Sequence, residues 1–297
     1  MRKVMYLCVA GLVFLSSCKD DERMSARQSS AIQDEAVADA YFNDASDLAT
    51  TAYHSPSQEI LSGRTDSGGG LAFTVANDIR FSGVKLALEA SGTLSEPQGI
   101  IRIDFGEGVT DPSGTVRKGK IFVTYSGDRF VPGSHIVITF DEYAVNGIRI
   151  NGMRTVTTAS VTATSITFGV KDNGKAVFDD DTYITRVSDY TRIWVLPSAT
   201  ANEQWVVEGT AKGSTRDSKC YSILISTPLV FKASCMASRI VIPSEGETTF
   251  IVDGRAMQLN YGLSGTDCDK IILVNAGGVN QSITIGDTNT NYTTNAG

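Results

Sequence analysis

His54 and His135 are the only two histidines in the 297-residue chain, so any imidazole base or zinc ligand must come from them. They stand far apart, and no His-Glu-x-x-His string, histidine pair or Cys-x-x-Cys accompanies them. A zinc site therefore has no sequence support. Ser82-Gly83-Val84-Lys85 has the Ser-x-x-Lys spacing of an acyl-transfer serine, and Ser188-Asp189-Tyr190 echoes its usual companion. No Lys-Thr-Gly follows, there is no Gly-x-Ser-x-Gly elbow, and Ser82 lies in strand-like sequence instead of at a helix start. Carboxylates are plentiful. Asp179-Asp180-Asp181, Asp267-Cys268-Asp269 and Asp287-x-Asn289-x-Asn291 offer hard oxygens to calcium, but none has the alternating spacing and glycine of a calcium loop. Each reads as a solvated turn. The two carboxylates of a glycosidase need not be near in sequence, so no such pair is nominated. Trp194 and Trp205 are the candidate ligand-binding residues, because indole faces stack on sugar rings. Indole is also a large core filler, and at least one of the two is expected in the core. Arg117, Lys118 and Lys120 beside Asp111 read as a local ion-pair turn, with anion binding as the sharper alternative. No catalytic residue, metal ligand or cofactor is assigned.

The chain opens with Arg2 and Lys3, an apolar run from Val4 to Leu15, then Ser16, Ser17 and Cys18. This is a secretory signal layout over residues 1–17, too short to span a bilayer. Leu15-Ser16-Ser17-Cys18 resembles a bacterial lipobox, which implies that the Cys18 thiol is acylated and becomes the new N-terminus. Lys19-Asp20-Asp21-Glu22 resembles the acidic export signal of surface lipoproteins in Bacteroidota. Together they imply a lipid anchor in the outer membrane, facing the cell exterior.

Cleavage before Cys18 removes two basic residues and no acidic one, so the formal net charge moves from −7 to −9. Such a surface repels nucleic acid, which selects a basic stripe. It also repels anionic lipid, so attachment to a membrane must come from the acyl chains. Apolar residues at 41% and charged residues at 20% suit a folded core and argue against global disorder.

Residues 18–30 read as a solvated tether. Ser30 and Gln33 then form a capping-box pair, and Ile32, Ala36, Val37, Ala40, Tyr41, Ala45, Leu48, Ala49 and Ala52 recur at helical spacing. This predicts one amphipathic helix of about 20 residues, packed on a sheet. After residues 62–70 the pattern alternates with period two to the end, predicting about fifteen strands and an all-β fold, an antiparallel meander or sandwich. Asn146-Gly147, Asn151-Gly152 and Asp172-Asn173-Gly174 read as turns. A weak echo links 101–125 with 257–274, where Phe105-Gly106 answers Tyr261-Gly262. It predicts two related lobes, 31–196 with the helix and 197–297, with a seam at 197–203.

The strings DFGEGVTDPSGTVRKGKIFVTYSG and FDEYAVNGIRINGMRTVT, with RIWV, STPLVFKASC and LNYGLSGTDCDK, resemble a group of uncharacterised Bacteroidota lipoproteins. The resemblance spans most of residues 70–275. It implies location and fold class, and lends no chemistry. Of the cysteines left after Cys8 and Cys18, an odd set of Cys220, Cys235 and Cys268 implies one disulfide and one free thiol. Cys235 and Cys268 sit at strand ends, where the backbone can adapt, and within the resembling strings. They are the expected pair, leaving Cys220 as a small buried residue on a strand. The resulting expectation is a lipid-anchored surface protein with a non-catalytic binding or structural role toward a glycan or protein. A carboxylate-based hydrolase acting on extracellular glycan, or a fimbrial or envelope assembly subunit, is the alternative.

Overall fold

The computed structural model describes residues 23–56, 70–76, 78–198, 202–238, 240, 242–262 and 268–285. Cys18, the run Lys19–Glu22 and the Asp287-x-Asn289-x-Asn291 tail lie outside them. Helix α1 (Ala26–His54) comes first. Strands β1 (Leu71–Phe73), β2 (Lys85–Gly92), β3 (Pro97–Thr110), β4 (Val116–Ser126), β5 (His135–Val145), β6 (Ile148–Val161) and β7 (Ser165–Val177) follow. Then come β8 (Tyr183–Val195), β9 (Gln204–Ser214), β10 (Cys220–Lys232), the short helix α2 (Ala233–Ala237), β11 (Glu245–Val252), β12 (Arg255–Tyr261), β13 (Ile271–Ala276) and β14 (Val279–Thr284). All fourteen strands form one antiparallel sheet in chain order. Of the two expected arrangements, the meander is the one found.

α1 begins earlier than the sequence pattern indicated. Ser25 is the N-cap and closes a capping box with Gln28, so residues 26–30, expected as tether, are helical. Ser25-x-x-Gln28 satisfies the same chemistry as Ser30-x-x-Gln33. Extra turns there bury Ser29 and bring Met24 to the core, with its backbone N–H bonded to Gln281 on β14 at 2.7 Å. The helix is also not amphipathic in the expected sense. Buried residues fall on every side of it, from Ile32, Gln33, Asp34 and Glu35 to Phe42, Ala45, Leu48 and Ala52. Buried all round, it is a core helix instead of a lid. It touches β3, β4, β5, β6, β8 and β11, so the sheet curls around it.

The expected two lobes and their seam do not appear as separate bodies. β8 and β9 pair continuously on either side of the 196–203 connection, with Val195 opposite Gln204 and Trp194 opposite Trp205. One apolar core runs from Ile32 through Ile103, Ile184 and Phe250 to Ile285. The echoing stretches are two hairpins of the same sheet, β3–β4 and β12–β13. Two expected turns are interior strand positions. Gly152 lies opposite Gly174 in the β6–β7 ladder, and Asp172-Asn173-Gly174 is mid-strand. The physical reason is the helix: a Cβ on Gly174 would lie 2.7 Å from Phe42 Cζ and 2.3 Å from the Asn151 carbonyl oxygen. Asn146-Gly147, with φ of 47° and 87°, is the true tight turn between β5 and β6.

Candidate functional site

Period-two alternation turns every second side chain of β6 to β9 toward the helix. One inward row crosses Ile138, Arg154, Asp172, Ser188 and Ala211, and the next crosses Ile136, Val156, Val170, Tyr190 and Gly209. A third crosses Thr158, Phe168, Arg192 and Val207. A further row crosses Gly152, Gly174, Arg186 and Gly213, so three arginines point into the curled sheet, and α1 answers Arg186 with Glu35 and Asp39.

Arg154 and Arg186 are each 1% exposed. Arg154 pairs through two nitrogens with Asp172, whose Oδ2 also accepts from Ser188 at 2.6 Å. Arg154 also donates to the Phe42 carbonyl at 3.0 Å and to Asn43 at 2.9 Å. Arg186 donates to Glu35 at 2.5 Å and to the Tyr190 hydroxyl at 2.8 Å, and lies 2.6 Å from Asp39. Two cations therefore face three carboxylates. Asp172, held by both arginines, stays down at about 2. Burial, opposed by Arg186 and reinforced by the Asp39 charge, raises Glu35 to about 7. The helix meets the sheet the same way elsewhere: Asp34 with Arg216, Asp44 with Arg117, and Asp47 with Arg80.

Arg192 is different. Among the described residues no carboxylate reaches it, and its Nε is shielded from solvent without a hydrogen-bond partner. Burial lowers its pKa to about 10, although Asp47 and Asp39 act on it through space. Its guanidinium lies 4.1 Å from the centre of the Trp205 ring, a cation–π contact. It belongs to a pocket at the C-terminal end of α1, with Thr50 and His54 of the helix, Phe130 before β5, Thr158 of β6, Phe168 of β7 and Trp205 of β9 on the walls. The pocket, open to solvent on one side, offers about 50 Å³, enough for a few water-sized groups.

The pocket walls are tied down. Arg129 caps the end of α1 by donating to the His54 and Pro56 carbonyls at 2.9 and 2.5 Å, where the helix dipole is negative. His54 packs 4.6 Å from the Phe130 ring. Burial and the Arg129 charge lower its pKa to about 4, so at neutral pH it is an uncharged imidazole. The Ser134 and Thr158 hydroxyls lie 3.0 Å apart. A site of this kind holds a ligand through one fixed cation, apolar walls and neutral hydrogen-bonding groups.

The sequence-nominated residues divide. Trp194 and Trp205 stack on each other at 5.4 Å and 12°. Trp205 lines the pocket, and Trp194 backs it while donating to Glu203 at 2.9 Å. His135 is exposed at the rim, far in character from His54. Cys235 and Cys268 form the disulfide, with Cα atoms 5.1 Å apart. Cys220 is free as expected but exposed, because the inward parity of β10 falls on Tyr221 and Ile223. Asp180 and Asp181 are held by Arg216 and Arg149 at 2.5 and 2.6 Å. Ser188 serves Asp172 and has no role beside Ser82 and Lys85, which lie at the start of β2. Arg117 is buried between Asp111 and Asp44, so the basic cluster is an ion-pair turn that also anchors the helix. Sequence reading missed Arg192. The available signal was parity: on β8 the even positions Ile184, Tyr190 and Trp194 set the inward face, and Arg186 and Arg192 share it.

Among the described residues no helix is long and apolar enough to cross a membrane. No family model, curated protein or solved structure matches this chain.

Proposed function

We propose that the chain is a lipid-anchored outer-membrane protein facing the cell exterior, whose folded body is a non-catalytic receptor. Its ligand enters the pocket between Arg192 and Trp205. The observation that carries this reading is a half-buried guanidinium, its Nε shielded from solvent and without an ion-pair partner among the described residues, in a pocket walled by Phe130, Phe168 and Trp205. A guanidinium partly withdrawn from water with one nitrogen unpartnered is left open to an anionic partner that a ligand can supply. Cys18 and the run Lys19-Asp20-Asp21-Glu22 support the anchor and the outward orientation.

A hydrolase would draw on Glu35, whose carboxyl is held near pKa 7. That carboxyl is bound to Arg186, in the ion network and not among the residues that line the pocket. The receptor reading is therefore preferred. Its test is direct, because the two tryptophans of the chain both lie at this site. Full-length protein in a neutral detergent is titrated with small acids, amides and sugars while intrinsic fluorescence is followed. A saturable change is expected with at least one class, and none with any class would end the reading.

A further inference from the structure

We infer that the pocket takes a small carboxylate with a short apolar tail, the carboxylate pairing with Arg192 and the tail lying against Phe168 and Trp205. The inference deepens the receptor reading and rests on it. Three features of the site define the ligand. The first is charge. One guanidinium faces the space, and the other groups that line it are uncharged: the Ser46, Thr50, Ser134 and Thr158 hydroxyls and the His54 imidazole. His135 stands at the exposed rim. A single half-buried cation balances a monoanion. A phosphate dianion would leave one charge uncompensated in a poorly solvated site, which is unfavourable.

The second feature is size. About 50 Å³ admits roughly three to five water-sized groups, which matches a carboxylate and one to three carbons. A short carboxylate fills this space more completely than a sugar ring is accommodated by it. The third is wall chemistry. Ile136, Val156, Val170, Phe168 and Trp205 present carbon to the tail, while Arg192 lies over Trp205 at 4.1 Å and so has a fixed orientation. A planar fork already in place binds a carboxylate through two parallel hydrogen bonds.

The same geometry makes an unusual statement about stability. Removing an arginine that pairs with a buried carboxylate destabilises a fold, whereas Arg192 has no such partner among the described residues. Arg192→Met keeps the length and apolar contacts and removes a desolvated charge. It is expected to unfold at the same or a higher temperature while losing the ligand.

Butyrate is the probe, titrated into full-length protein in neutral detergent with tryptophan fluorescence as readout, and butyramide and inorganic phosphate as controls. Saturable butyrate binding, at least tenfold weaker in Arg192→Met and in Arg192→Gln and at least tenfold weaker for butyramide, is the expected result. The unfolding midpoint of at least one variant should equal or exceed that of the native protein. Equal binding of butyramide, or of butyrate to both variants, would overturn the anion assignment and leave the receptor reading standing. Preference for phosphate over butyrate would overturn the carboxylate class. Loss of folding in both variants would show Arg192 to be a structural residue. No response to butyrate, with a response to some other compound in the broader titration, would reject this ligand alone.

Discussion

At His54, burial beside Phe130 and the charge of Arg129 hold the imidazole near a pKa of about 4. The unfolded chain takes up that proton near 6.5, so this residue's contribution is present above pH 6.5 and is lost as pH falls toward 4. The shift corresponds to roughly 2–3 kcal/mol after allowing for partial solvent contact. Glu35, raised to about 7, and Asp34, raised to about 6, act in the opposite sense. They bind protons more tightly when folded, so their contribution is present at low pH and is lost as pH rises through 6 and 7. The two effects overlap between pH 4.5 and 6.5. Between pH 4.5 and 6 the two raised carboxyls outweigh His54, so urea midpoints of the native protein should rise as pH falls, whereas in Glu35→Gln His54 and Asp34 offset each other and the midpoints should vary little. A native-like pH profile for Glu35→Gln would contradict the assignment. The cysteines give a second prediction at this scale. Cys220, exposed, should react with a maleimide in the folded protein. The Cys235–Cys268 bridge closes a 33-residue separation and should contribute roughly 3–4 kcal/mol in the loop-entropy account. Peptide mapping after labelling, and urea unfolding of the Cys235→Ser, Cys268→Ser double variant, check both.

α1 is an acidic helix inside an arginine-bearing sheet. Its carboxylates meet four arginines from separate parts of the fold: Asp34 meets Arg216, Glu35 and Asp39 share Arg186, Asp44 meets Arg117 and Asp47 meets Arg80. These contacts set the helix's rotation and depth, because an apolar surface alone would let it slide while a buried ion pair tolerates little displacement. Breaking one such pair exposes the scale of the effect. Arg154→Leu would strand Asp172, which is 2% exposed, without its bidentate partner. The expected loss is roughly 3–5 kcal/mol, and Arg154→Leu combined with Asp172→Leu should recover a good part of it. Denaturant unfolding of the single and double variants decides the matter. Equal losses in both would mean that packing, and not the uncompensated carboxylate, is responsible. The row just beyond this network carries Arg192, so the same curl of sheet around the helix that buries the ion pairs also forms the pocket.

Among the described residues there is one sheet with a main core around the helix, and a small second cluster at Ile166, Phe168 and Val170. Unfolding should accordingly be a single cooperative transition, with calorimetric and van't Hoff enthalpies in agreement. Two resolved transitions, one for each half of the chain, would revive the idea of separate lobes. Among the described residues the end strands β1 and β14 pair only on their inner sides, and β1 has just three residues, which limits its use as a template for another chain. The anchor is the last property at this scale. Cys18→Ser should leave the protein unprocessed or release it from membranes, and normal processing with membrane retention would show that Cys18 is not the acylated residue. Alanine at Asp20, Asp21 and Glu22 should protect the protein from protease added to intact cells if that run directs export.

Period-two alternation and the single helical stretch were enough to determine the fold class, because hydrophobic periodicity is local and each strand carries its own. The turn at Asn146-Gly147 was legible for the same reason: its positive φ values are a property of two adjacent residues. Even the disulfide partners could be chosen from strand ends and spacing. What surrounds the helix was not legible. Phe42 and Gly174 meet although they are distant in sequence, and nothing local distinguishes a strand-centre glycine from a turn. Whether the sheet continues past 197–203 was not legible, because a loop that ends one hairpin looks the same whether the sheet stops or continues. Arg192 was hidden most deeply. In sequence it is one of many exposed-looking arginines, and its lack of an ion pair among the described residues follows from the carboxylates of α1 pairing instead with Arg216, Arg186, Arg117 and Arg80. Those distances exist only once the sheet has closed around the helix, so the sequence by itself determined the strands and the tertiary structure decided the site.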